Sequence, residues 1–241
     1  MKLRNAIVAA LVIVLAPTAA LPQALTSLAS VRVGYTTRKN TVKPQGELKA
    51  QIDALDAQIA DATRLGKTGE LRRLFAKGIA LLNGTPWTDA LDYSRSLVLR
   101  TPRVIVDSSK PYSVRLEQIY ASSLALQNTV AAHLTLHKRP PPPPPGQAPV
   151  ELPLVKDLGT FDGVARDLRE SPYFFDLDLR DVPDGPYLLN VEVSNQGQPV
   201  GSSSLQVALR KGVDDLAVQL EAAAARRPKR SAPSCSSRST A

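Results

Sequence analysis

Two histidines, four spaced aspartates, a Gly-Lys-Thr triplet, a run of serines and one tryptophan are the residues of this 241-residue chain whose types could do chemistry. His133 and His137 stand four apart, a spacing that on a helix would bring two imidazoles to one zinc ion. The segment HLTLH alternates, however, and reads as a strand. Its two rings then share a face but lie about 13 Å apart at roughly 3.3 Å per residue, too far for one ion. Solvent-facing strand histidines are the expectation. Asp176, Asp178, Asp181 and Asp184 in FDLDLRDVPDG could offer carboxylates to calcium, yet the stretch lacks the glycine and the distal glutamate of an EF-hand loop. Outward strand positions and turn capping account for all four.

Gly66, Lys67 and Thr68 match the end of a phosphate loop. That pattern also needs a glycine where Asp61 sits and a preceding strand, whereas the flank here is helical. A helix–helix turn is expected, with Gly66 closing one helix in the left-handed conformation and Thr68 capping the next. GSSSL at 201–205 lacks the second glycine of a nucleophile elbow, and no Ser-x-x-Lys dyad occurs. With both histidines on a strand, a Ser–His–Asp relay has little to draw on. Trp87 could stack on a sugar as a ligand contact, although a lone tryptophan at a helix end more often closes a core. The chain reads as non-catalytic, with no catalytic, cofactor-binding or metal-binding residue and no cofactor.

The elements that would carry these residues fall into two regimes. From 46 to 83 the period is helical: Leu48, Ile52, Leu55, Ile59 and Ala62 recur at spacings of four and three, and Leu71, Leu74, Gly78 and Leu81 repeat the pattern after the GKT turn. This predicts an αα-hairpin, assigned to 46–93. The segment ahead of it, SVRVGYTTRKNTVKPQ, reads as a strand or extended arm within 21–45. From 94 the period becomes two. Short runs such as SLVLR, RVIVD, YSVRLEQIY, TVAAHLTLH, YFFDLDL, YLLNVEVS and SSLQVALRK predict about seven antiparallel strands over 94–211. Six prolines at 140–145 favour an extended polyproline conformation and sit in a loop at 138–149 of a single sandwich, with a linker between two small domains as the rival reading. VDDLAVQLEAAAA reads as a final helix in 212–225, with acids in its first turn as the helix dipole prefers.

In DLDLRDVPDGPYLLNVEV, Gly185 ends a Pro-Asp-Gly turn and Tyr187 opens the next strand. This resembles the tyrosine corner of immunoglobulin-like and macroglobulin-like domains, where the hydroxyl ties the corner to upstream backbone. The expected fold class is therefore α+β: an N-terminal αα-hairpin, an immunoglobulin-like antiparallel β-sandwich and a C-terminal helix, with Gly66, Gly185 and Tyr187 in structural roles.

Charge and termini bear on location and partner. The net charge is +8, but Arg226, Arg227, Lys229, Arg230 and Arg238 lie in an acid-free tail at 226–241, and Lys2 and Arg4 open the chain. The body between carries only +1, which argues against a nucleic-acid partner. The cations at the start precede an apolar run at 6–16 and small residues at Thr18 and Ala20, the layout of a signal peptide over 1–20. Export to the periplasm or the extracellular space follows, with membrane contact only through the signal peptide before cleavage. Cys235 has no disulfide partner in the chain. The tail is expected to be disordered, and its change of character at Arg226 reads as the point where the native sequence stops, as a one-base slip of reading frame would produce.

The stretch from VRVGYTTRKN to LLNGTPW, followed by VIVDSSKPYSVRLEQIY, resembles the N-terminal accessory region of large exported bacterial hydrolases, in which a helical hairpin and a β-sandwich precede an α/β-hydrolase domain of the esterase, depolymerase or peptidase kind. The resemblance spans about 31–225. It implies an accessory region that positions a hydrolase domain, its partner, which this chain lacks, so no catalytic residue carries over. The expected function is that of an exported accessory or scaffolding region, a truncated part of a secreted hydrolase. A stand-alone envelope module binding protein or glycan is the alternative, and an esterase or peptidase in its own right comes third.

Overall fold

The computed structural model describes residues 27–139 and 152–225. The segment expected to be a signal peptide, the proline run, Cys235 and the basic tail lie outside the described residues. Within them the chain is a mixed α+β structure of five helices and two sheets.

The helical region opens with α1 (Leu28–Val42), where an extended arm was expected. The N-cap of α1, its threonines and one tertiary contact explain the correction. Ser27 caps the helix, its Oγ accepting from the Ser30 amide at 3.1 Å. Thr36 and Thr41 turn their hydroxyls back to carbonyls four residues earlier, which satisfies the hydroxyls inside the helix without strengthening it. Val31 and Tyr35, four apart, are buried, and this tertiary contact overrides a weak local propensity.

Helices α2 (Gly46–Arg64) and α3 (Thr68–Leu82) follow. On α2, Ile52, Leu55 and Ala62 are buried while Leu48 and Ile59 pack at the margin. The turn between them closes with two bonds, Gly66 N–H to Thr63 O at 3.1 Å and Lys67 N–H to Ala62 O at 3.0 Å, with Gly66 at φ +66°. Lys67, not Thr68, is the N-cap of α3, and Thr68 is its first helical residue. Helix α1 lies against α3 because Gly78 leaves room for Tyr35: a Cβ there would run into the tyrosine ring. Tyr35 also donates to Asp56 Oδ1 of α2 at 2.7 Å, and Lys39 pairs with the same carboxylate.

A further helix, α4 (Asp89–Ser96), crosses the expected boundary at 94 and leads directly into β1 (Leu97–Arg100). The strands are then β2 (Ile105–Val106), β3 (Tyr112–Gln118), β4 (Val130–Lys138), β5 (Leu154–Val164), β6 (Tyr173–Leu177), β7 (Gly185–Asn195) and β8 (Gln198–Leu209). They form a three-stranded sheet, β1-β3-β6, and a five-stranded sheet, β2-β8-β7-β4-β5. Alternation sends Val114, Leu116 and Phe175 of the first sheet, and Ala132, Leu134, Leu136, Leu189, Val191 and Leu205 of the second, into one shared core.

Two features depart from the expected set of antiparallel strands. The two-residue β2 pairs in parallel with β8, because the chain between 101 and 104 places RVIVD beside the end of β8 rather than in a hairpin. Strand β5 is an addition to the expected set, since Gly159 and Gly163, both at positive φ, interrupt its alternation. Its pairing with β4 carries register shifts at these irregularities. Finally, α5 (Val213–Ala225) leaves the end of β8.

Candidate functional site

A hydrogen-bonded network around one buried carboxylate lies where α3, α4 and the segment after β3 meet. Thr88 caps α4, its Oγ1 accepting from the Leu91 amide at 3.2 Å. One turn later Asp92 is wholly buried. Arg73 of α3 reaches it from the side, its Nε 3.1 Å from Oδ1 and 3.0 Å from Oδ2 and a second guanidinium nitrogen 2.9 Å from Oδ2. Ser123, in the segment after β3, donates its amide to Oδ2 at 2.9 Å. The Ser123 hydroxyl lies 2.9 Å from Asp92 Oδ2 and 2.6 Å from Asp89 Oδ1, with one proton for both. Tyr120 donates to the Asp92 carbonyl at 3.0 Å, and a Cβ added at Gly69 of α3 would meet the Tyr120 Cβ at 3.5 Å, an ordinary contact distance.

The electrostatics of this cluster are those of a joint. Burial and then the charge of Asp92 push the Tyr120 phenol well above its ordinary range, while Arg73 and Arg95 pull the other way. The bond to Asp92 raises the Arg73 pKa further, so the guanidinium stays charged. A buried carboxylate held by a charged fork and the Ser123 amide couples α3, α4 and the post-β3 segment.

A second carboxylate, Asp107, sits after β2 beside a shallow cleft of about 220 Å³ lined by Arg103, Ile105, Lys110, Tyr112 and Asp214, among others. That is small for a ligand pocket, which usually exceeds about 300 Å³. Its cations are already engaged: Arg103 meets Asp214 at 2.5 Å, and Lys110 meets Asp215 at 3.2 Å.

The residues singled out from the sequence lie apart from both clusters. His133 and His137 occupy the outer face of β4. His133 Nε2 is 2.9 Å from Asp157 Oδ1, and the His137 ring nitrogens are 3.0 Å from the Leu152 carbonyl and the Thr135 hydroxyl. Asp178 accepts from the Arg180 amide at 3.1 Å and pairs with its guanidinium at 2.6 Å, which holds the carboxyl well below the usual range. Asp184 accepts from the Lys211 amide at 2.9 Å, Asp181 stands 4.0 Å from Lys156, and Asp176 is exposed. Among the described residues no three His, Cys, Asp or Glu side chains are grouped so as to hold a metal ion. The serines at 202–204 run along β8, where the Ser202 amide donates to Ser94 Oγ at 3.1 Å and Ser203 Oγ donates to the Leu97 carbonyl at 3.2 Å. Trp87 is half-buried between α3 and α4 and belongs to neither buried core. The Tyr187 hydroxyl donates to the Pro183 carbonyl at 2.8 Å, across the turn that Gly185 ends.

Asp92, Arg73, Tyr120 and Ser123 carry no mark in the sequence that singles them out. The partners stand 19 to 31 residues from Asp92, and none has an unusual local setting. The only local signal is the Thr88 cap, which places Asp92 on α4.

No family model matches the chain, and no curated protein matches it. Three solved structures give the level of structural likeness. A superoxide reductase (neelaredoxin) from Ignicoccus hospitalis is 12% identical at a TM-score of 0.30, covering 48% of this chain and 80% of its own. An endo-beta-1,4-mannanase from Thermotoga petrophila is 16% identical at 0.31, covering 59% and 24%. A CARDB domain from Pyrococcus furiosus, in complex with di-metal ions, is 12% identical at 0.29, covering 47% and 90%. At that level of similarity none of the three bears on what this chain does. No helix among the described residues is long and apolar enough to cross a membrane.

Proposed function

We propose that this chain is a non-catalytic, exported accessory or scaffolding region, a detached part of a secreted hydrolase, built as a helical hairpin on an immunoglobulin-like sandwich. The observation that supports it best is the Asp92 joint. A charge-assisted network with one wholly buried member ties α3 to α4 and to the segment after β3. Such a joint suits a part whose task is to hold a neighbour in a set orientation. Turnover of a p-nitrophenyl ester by the purified protein, abolished by a serine-directed inhibitor, would overturn this reading in favour of an esterase. Mass spectrometry of the protein recovered from the periplasm or medium tests export: processing near residue 20 supports it, and an intact Met1 in the cytosol refutes it.

A stand-alone module that binds protein or glycan is the second reading, and one feature favours it. Phe174 projects from β6, 60% exposed, opposite Arg115 on the outer face of the three-stranded sheet. An aromatic beside an arginine is a composition common at binding surfaces. Glycan-array or pull-down signal that vanishes in Phe174→Ala, or in Trp87→Ala, would favour this module over the scaffold.

A further inference from the structure

We infer that α5 is a pivoting arm whose direction is set by one carboxylate clasp, Asp107. The inference stands apart from the functional reading above and concerns only how the chain leaves the sandwich.

The anchored side of the pivot ends at Lys211. Arg210 donates its amide to the Val106 carbonyl at 2.9 Å, and the Lys211 amide donates to Asp184 at 2.9 Å. Gly212 follows at φ +71°, a left-handed turn that redirects the chain. Beyond the first turn of α5 every residue from 215 to 222 is exposed, including Leu216, Val218 and Leu220 at 56–70%. Apolar packing along its length therefore does not hold the helix. What holds it is at its start. Asp107 accepts from the Gly212 amide at 3.0 Å through Oδ1 and from the Asp214 amide at 3.2 Å through Oδ2. Its own loop adds the Ser109 amide at 3.0 Å and the Ser109 hydroxyl at 2.5 Å.

The side chain of Asp107 is 2% exposed, whereas the surrounding pairs are in solvent. The charged groups that face the clasp are Arg103 and Lys110 from its own side, Asp214 and Asp215 from α5, and Asp184 with Arg210 from the turn before β7 and the end of β8. The surface pairs are screened by salt, and the buried carboxylate bonded to amides is not. The Ser109 hydroxyl first, and then the three amides, hold the Asp107 carboxyl well below the usual carboxylate range. A carboxyl depressed in this way contributes in full above the ordinary aspartate value and loses that contribution progressively as pH falls from there through its own lowered value.

The test is a distance measurement on the full chain with Cys235 replaced by serine. Spin labels are placed at Gln219→Cys on α5 and Glu192→Cys on β7, both exposed. The parent should show one narrow distance distribution. Asp107→Asn should broaden it, and the Gly212 and Asp214 amides should exchange with solvent at least about tenfold faster, while amides of β7 and β8 keep their protection. Arg103→Ala with Lys110→Ala should leave the distribution narrow. An unchanged distribution in Asp107→Asn, or broadening in the double alanine variant, would overturn the clasp. Should Asp107→Asn fail to fold, acid titration of the parent decides. Broadening confined to pH below about 3.9, the ordinary aspartate value, supports the clasp. Broadening between about pH 5 and 4, or in about 1 M salt at neutral pH, overturns it.

Discussion

The helical region and the two-sheet region solve the same problem with different means. Among the described residues, twenty-four buried apolar side chains from all eight strands, their connections and α4 converge on one core around the sheets. Among α1, α2 and α3, nine do so, and two of the contacts that place α1 involve a tyrosine hydroxyl and a lysine on Asp56. A unit of that size, with so small a core, sits near the limit of independent stability. The difference teaches that the helices depend on the sheets. The Asp92 joint is where that dependence is expressed, since it draws α3 onto α4 and the post-β3 segment.

The sharpest way to break the comparison is Asp92→Ala. It leaves the Arg73 fork and the Ser123 amide without their acceptor, and because Arg73 is part-exposed the loss falls at the lower end of the about 3–5 kcal/mol seen when a fully buried pair is broken. Urea unfolding should show that loss together with a separate, earlier transition of the helices. A joint with no role in coupling would give one shifted transition instead. Leu134→Ala, in the centre of the sheet core, should cost about 2–4 kcal/mol and lower both regions together, because the helices lose their support. Alkaline titration comes next. Burial pushes the Tyr93 phenol up to about 12 from 10.0, so the unfolded chain releases a proton that the folded chain keeps. Tyr93 alone then leaves stability full below pH 10 and lowers it by about 3 kcal/mol as pH rises from 10 through 12, at about 1.36 kcal/mol per pKa unit, and the raised phenols of Tyr35, Tyr112, Tyr120 and Tyr187 steepen the fall. Thermal unfolding monitored across that range checks it.

Gly78→Ala sharpens the contrast from the other side. Its Cβ would strike the Tyr35 ring, and overpacking of this kind costs about 1–3 kcal/mol. Hydrogen exchange should rise in α1 and α3 while β4 and β7 remain protected. The smallest effect is expected from Tyr187→Phe, which removes a single bond to the Pro183 carbonyl at a cost of about 1 kcal/mol, read as a small shift of the urea midpoint without change in slope.

Much of this contrast is legible in the residue pattern alone. Helices α2 and α3 follow from apolar residues at spacings of three and four, and β4 and β7 from strict alternation. Tyr187 is legible because its acceptor lies four residues away, within one turn. Helix α1 is not, because its signal is Tyr35 fitting a notch at Gly78, more than forty residues on. Strand β5 is hidden by Gly159 and Gly163, which break the alternation that marks a strand while serving as irregularities in a real one. The short parallel β2 has no local signature at all. The Asp92 joint is the least visible, since an aspartate, an arginine, a tyrosine and a serine scattered over fifty residues are common residues in ordinary settings.

The sequence by itself determined what period-2 and period-3.6 patterns can carry: which segments become helices or strands, which face of each is apolar, and that the body between the termini is nearly neutral. Those are local properties, set by side-chain direction along a repeating backbone. Only the tertiary structure decided how the two regions are joined, which carboxylates are buried, and how α5 is tethered. Each of these depends on groups distant in the chain meeting at hydrogen-bond range out of water. Their energy comes from the meeting itself, which no segment encodes alone.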